Sequence, residues 1–118
     1  MIETFRDLEV WRKGMALAER VYSTTAEWPR AELFGLTSQV RRAAVSIPTN
    51  VAEGKAIGGQ SYLRHVKIAL GSEAELQTQI ELARRLTLLH DDAAADLLSR
   101  TSEVGRMLVG LLKALPRD

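Results

Sequence analysis

Apolar residues return along this chain at alternating spacings of three and four, a period that commits it to helices, each burying one long stripe. Towards the C-terminus, Ala94, Leu97, Thr101, Val104, Leu108, Leu111 and Leu115 hold the alternation for three heptads, with Leu98, Gly105, Val109 and Leu112 beside them. Near the N-terminus two rows run in parallel. One is Leu8, Trp11, Met15, Ala18 and Tyr22; the other is Val10, Gly14, Leu17 and Val21, about 100° further round the helix. That arc is wider than one core requires, so the second row is either a broad core face or the start of a subunit interface. No strand alternation, internal repeat or low-complexity segment interrupts the pattern.

The punctuation between stripes predicts four helices, at about 8–27, 37–55, 61–90 and 92–115. Asp7 suits the first N-cap, and Trp28 before Pro29 closes that helix because a residue preceding proline is driven out of helical geometry. The second helix carries Leu33, Leu36, Val40, Ala44, Ile47 and Val51 and runs through Pro48, where a kink rather than a break is expected. Gly54, then Gly58 and Gly59, supply its stop and a short turn. Asp91 and Asp92 favour a helix N-terminus, and Pro116 ends the last helix. In 118 residues this predicts an all-α, antiparallel, up-and-down four-helix bundle forming a single domain over 1–118.

Composition narrows the chemistry. Hydrophobic residues make up 46% and aromatics only 5%, so Leu, Ala, Val and Ile must build the core. The absence of cysteine excludes disulfides, cysteine-ligated metals and thiol nucleophiles. The N-terminus, MIETFRDLEVWRKG, has scattered charges and no signal-peptide core, and no stretch reaches membrane-span length, which predicts a cytoplasmic protein. The formal charge is +1 and is spread evenly along the chain, too little to hold nucleic acid without a local cluster. Arg41–Arg42 and Arg84–Arg85 are adjacent basic pairs, read first as solvated faces or partners of nearby carboxylates.

Polar residues intrude on two of the apolar faces. Gln39, Arg42, Ser46, Asn50 and Glu53 follow one another at helical spacing, and the row Ile68, Ser72, Glu75, Gln79, Leu82, Leu86 is polar in its middle. If these helices are antiparallel neighbours, Asn50 and Glu53 lie opposite the early to middle part of the third helix, with Gly71 and Ser72 letting the backbones approach. The first reading is a satisfied polar network that fixes helix register and subunit pairing, since a buried Glu needs donors. The second is a ligand or nucleic-acid site on the same face. A catalytic pair of Glu53 and Glu75 lacks a nucleophile, a metal or an oxyanion site, so no catalytic residue, metal or cofactor is assigned. Neither His65 nor His90 follows a Glu by three residues, as a ferritin-like iron site requires, and both are expected at boundary or solvent positions. Gly58, Gly59 and Gly71 form no phosphate loop, and Trp11 and Trp28 read as core and loop anchors.

FRDLEVW at Phe5–Trp11, WP at Trp28–Pro29, GLTSQVRRAAVSIPTNVAEG at Gly35–Gly54 and IALGSEAEL at Ile68–Leu76 together resemble the 23S rRNA intervening-sequence protein family. The resemblance covers residues 5 to about 90, with Trp28 standing where the family more often has Phe. It implies a bacterial, cytoplasmic four-helix bundle that assembles as a ring-shaped homopentamer without established enzymatic activity. It also implies that Gln39, Arg42, Ser46, Asn50, Glu53, Gly54, Gly71, Ser72 and Glu75 are the recurring family positions. A related branch, the accessory proteins of diversity-generating retroelements, is strongly basic and binds reverse transcriptase and nucleic acid. At +1 per subunit this chain departs from that branch. The expected role is therefore a homo-oligomeric scaffold or adaptor. The alternative is an RNA-binding ring, an accessory to a reverse transcriptase or associated with rRNA, using Arg41, Arg42, Lys55, Lys67, Arg84 and Arg85.

Overall fold

A computed structural model of the chain describes residues 1–117; Asp118, the last residue of the domain expected over 1–118, lies outside the described residues. Four helices carry the architecture: α1 (Glu9–Thr25), α2 (Leu36–Ile57), α3 (Gly59–Arg85) and α4 (Asp91–Ala114). Each packs on the next in sequence, and α1 meets α4 to close the circuit, giving an all-α up-and-down four-helix bundle about 45 Å long. The α2–α3 contact is the most extensive and the α1–α4 contact the least. Exposed ion pairs line that last seam, Arg20 to Asp96 at 3.3 Å and Lys13 to Glu103 at 3.5 Å. No helix of the described residues is long and apolar enough to cross a membrane.

The core follows the stripes except at Leu33, which precedes α2 and is 40% exposed, and on α1. Leu36, Val40, Ala44, Ile47 and Val51 of α2 are buried, as are Ala94, Leu97, Thr101, Val104 and Leu108 of α4. On α1 the row Val10, Gly14, Leu17, Val21 faces the core, while Met15 and Tyr22 from the other row are 41% and 47% exposed. Leu8 and Ala18 of that other row are buried as well, and Gly14 packs on Pro48, where a Cβ would make ordinary contact at 3.4 Å with the proline Cβ. The helix α2 continues through Pro48, whose buried ring serves as packing surface there.

The helix ends differ from expectation in three places. Asp7 does not cap α1: Leu8 occupies the N-cap without a side-chain bond. Asp7 instead closes a 3-10 turn, Phe5–Asp7, with Thr4 as its N-cap in a reciprocal capping box, accepting the amides of Glu3 and Thr4 at 2.8 and 3.0 Å. Gly54 does not stop α2, which runs to Ile57 and turns at Gly58, where φ is +82°. The third helix ends at Arg85 rather than near His90. Thr87 at φ +62° breaks it, the Leu88 amide reaching back to the Ala83 carbonyl at 2.9 Å and the Thr87 amide to Arg84 at 3.0 Å, a Schellman closure.

Candidate functional site

The polar row of α2 is divided between two places. In the middle of the α2–α3 seam the Ser46 and Ser72 hydroxyls meet at 2.8 Å. Asn50 donates from Nδ2 to the Ser46 carbonyl at 2.8 Å and to the Ser46 hydroxyl at 3.0 Å, leaving the serine proton free for Ser72. These bonds tie α2 to α3 at one register. Towards the hairpin Glu53 turns to His65, whose Nε2 lies 3.2 Å from its carboxylate. His65 Nδ1 lies 2.7 Å from the Ser61 carbonyl, to which it donates.

His65 is buried, contrary to the boundary position expected from its place beside the Val66 stripe; His90 is exposed at the start of α4. Gly54 makes that burial possible. A Cβ on Gly54 would fall 2.9 Å from the His65 Cβ and 3.2 Å from the Tyr62 Cα, so α2 and α3 approach here rather than at Gly71, around which no atom lies within 4 Å of such a Cβ. Burial in the same corner raises the Tyr62 phenol above its ordinary value.

Gln39, Arg42, Ser46, Ser72, Glu75 and Gln79 line an open groove between α2 and α3, with a cavity volume of about 380 Å³. Arg42 and Glu75 are exposed in it and form no ion pair among the described residues. The Gln79 Oε1 is buried there without a hydrogen-bond partner, so the polar network is incomplete at this end. Glu53 and Glu75 are not brought together. Glu53 is held at His65, ten residues and about 15 Å along α3 from Glu75. Both His65 nitrogens lie within hydrogen-bond distance of an oxygen, Nδ1 of the Ser61 carbonyl and Nε2 of the Glu53 carboxylate.

The basic residues fall at two ends of the α2–α3 pair. Arg41, Arg42, Arg84 and Arg85 lie near the start of α2 and the end of α3, while Lys55 and Lys67 lie near the hairpin, about 20 Å away along α2. Arg41 is engaged within the fold, donating to the Thr25 hydroxyl at 2.8 Å and covering the Tyr22 ring at 4.6 Å. Arg84 bonds Glu81 at 3.0 Å, which raises its pKa further. Arg42, Arg85 and Lys67 remain exposed.

Sequence reasoning missed Glu73. Its side chain is buried between α3 and α4, bonded by the Gln77 amide, and its carboxyl lies against Gly105, where a Cβ would come within 2.7 Å of the carboxyl carbon. A signal was present: Glu73 interrupts the row Val66, Ala69, Leu76, Ile80, Ala83 at its own helical spacing, opposite a glycine in the α4 stripe. Among the described residues no group of three or more potential ligands is placed to hold a metal ion.

These features define a class of small up-and-down helical bundle with a polar α2–α3 seam. The model of the 23S rRNA-intervening sequence protein family matches residues 6–110, and the chain belongs to that family. A similar solved structure is a protein of unknown function from the S23 ribosomal protein family of Bacteroides thetaiotaomicron, with a TM-score of 0.79 and 20% identity. The alignment covers 88% of this chain and 98% of that one, a likeness of fold. No curated protein matches the chain.

Proposed function

We propose that this protein is a non-enzymatic, homo-oligomeric bundle acting as a scaffold or adaptor in the bacterial cytoplasm. One observation carries the reading. Met15, Tyr22 and Val45 stand 41%, 47% and 40% exposed around a single groove between α1 and α2, which is lined almost wholly by carbon. Surface hydrophobics scattered singly need no explanation; these three gather around one groove, which supports a partner surface there. The internal engagement of Ser46, Asn50, Glu53, Ser72 and His65 supports a structural role for the polar seam. Five subunits is the number the family resemblance implies. Gel filtration coupled to light scattering tests the reading, with a concentration-independent mass of 13.1 kDa counting against it.

A second reading, RNA binding on a ring surface, draws on Arg64 and Lys67, which line an open groove at the hairpin end beside Gln60 and Ser61. Repetition around a ring would multiply a weak contact. Salt-sensitive binding to structured RNA supports it, and no binding at low salt removes it.

A further inference from the structure

We infer that the polar groove between α2 and α3 is a binding site for a free α-amino acid with a large apolar side chain. The inference goes beyond the scaffold reading and does not depend on the number of subunits.

The Ser46–Ser72 bond fixes the levels of the groove, because it ties two antiparallel helices at one register. Arg42 precedes Ser46 by four residues and Glu75 follows Ser72 by three, so both stand about 5 Å from the serines along the bundle axis, on opposite walls. Gln39 and Gln79 form the next level, about 10 Å from the serines, and Leu36 and Leu82 the one after, at about 15 Å. The cavity of about 380 Å³ holds the polar levels. It shares Gln39, Glu75 and Gln79 with an apolar stretch that includes Leu36, Ala74, Leu82 and Leu86. A few convergent polar groups opening on a carbon-lined surface are the usual makings of a small-molecule site.

Hydrogen-bonding capacity is left over at each polar level. Asn50 donates to the Ser46 hydroxyl, and the two serine hydroxyls share one bond. One of their two protons therefore has no acceptor among the described residues, whichever serine donates. The buried Gln79 Oε1 is an acceptor without a donor. Arg42 and Glu75 are exposed, and neither forms an ion pair among the described residues. The groove thus offers a cation and a spare hydroxyl proton together with a carboxylate and a spare acceptor.

That combination selects the ligand. A phosphate would meet the Glu75 carboxylate and a polyamine the Arg42 guanidinium, so ligands of one charge sign are disfavoured. A zwitterion satisfies both walls. Its carboxylate takes the Arg42 guanidinium and the serine proton, and its ammonium donates to Glu75 and to Gln79 Oε1. Hydrogen bonds of about 2.7–3.2 Å at each end let adjacent ammonium and carboxylate groups bridge helices whose axes pack about 8–10 Å apart. The side chain then lies towards Leu36 and Leu82, which favours phenylalanine or tryptophan over glycine.

The test titrates the full wild-type chain, isotope-labelled, with L-phenylalanine and follows its backbone amides by NMR. Saturable shifts at Ser46, Ser72 and Gln79 are expected. Binding should weaken by about tenfold or more for N-acetyl-L-phenylalanine, which lacks the ammonium, for L-phenylalaninamide, which lacks the carboxylate, and for glycine. Arg42→Gln should bind phenylalanine and its amide alike, and Glu75→Gln should bind phenylalanine and its acetyl form alike. A merely structural role would not erase that discrimination, and the comparisons on wild type need no variant to fold. No saturable shift with phenylalanine or tryptophan up to about 10 mM overturns the inference. A capped form that binds wild type as tightly as the free amino acid, or shifts confined to residues outside the groove, overturns it as well.

Discussion

Gly54 of α2 faces His65 of α3 with so little space that a Cβ on the glycine would lie 2.9 Å from the histidine Cβ. The Tyr62 Cα would be only 3.2 Å away, so the obstruction is backbone and Cβ atoms rather than the movable end of a side chain. The contact sets the depth of the α2–α3 hairpin, buries His65 and brings its ring to Glu53. Replacing Gly54 by Ala should therefore destabilise the fold. Overpacking of this kind costs about 1–3 kcal/mol, more than the gain of about 1 kcal/mol that Ala has over Gly within a helix. Thermal unfolding reads the difference, and an unchanged or raised Tm would show that the hairpin can open freely.

Thr87 holds a left-handed φ of +62° at the Schellman closure of α3, a conformation that costs a β-branched residue strain and glycine almost none. Thr87→Gly should raise stability by about 1 kcal/mol in urea unfolding, with the m-value unchanged. A loss of stability would mean that the Thr87 hydroxyl, bonded to the Leu86 carbonyl at 2.6 Å, outweighs the strain.

The stripes made the helices legible, but they did not reveal which of two adjacent rows on α1 would turn inward. Both were apolar, and the edge of the core runs through the outer row, burying Leu8 and Ala18 while leaving Met15 and Tyr22 in water, which periodicity does not resolve. The α2–α3 seam was partly legible in the same way. Ser46, Asn50 and Ser72 do meet, while Glu53 bonds His65 near the hairpin. That difference is one of local register, which periodicity does not encode. Thr87 gave no signal of a helix end, because αL geometry at threonine is imposed by the fold rather than favoured by the residue. Glu73 was legible in principle, as the one acidic interruption of a buried row.

The Ser46–Ser72 bond links the two most closely packed helices. A double-mutant cycle of Ser46→Ala and Ser72→Ala should show a coupling of about 0.5–1.5 kcal/mol, and Ser46→Ala alone should cost more because Asn50 also loses an acceptor. Additive effects in chemical denaturation would show that the hydroxyls act independently.

Asp96 joins α1 to α4, and its carboxyl is held below the ordinary carboxylate value, first by the Arg100 hydrogen bond and then by the charges of Arg100 and Arg20. A carboxyl depressed in the folded state adds stability above its unfolded value, near 3.8, and loses it as the pH falls through the folded value. Asp96→Asn should accordingly lower the urea midpoint at neutral pH, modestly because the pair is exposed, with the difference closing in strong acid. A difference that persists unchanged in acid would assign the effect to packing.

Native mass spectrometry of the wild-type chain tests homo-oligomeric assembly most directly because it counts subunits. The expected spectrum shows a closed oligomer of more than two copies, with a mass that is an integral multiple of 13.1 kDa and five copies as the number the family resemblance implies. A spectrum containing only the 13.1 kDa monomer, at concentrations where light scattering agrees, would contradict it.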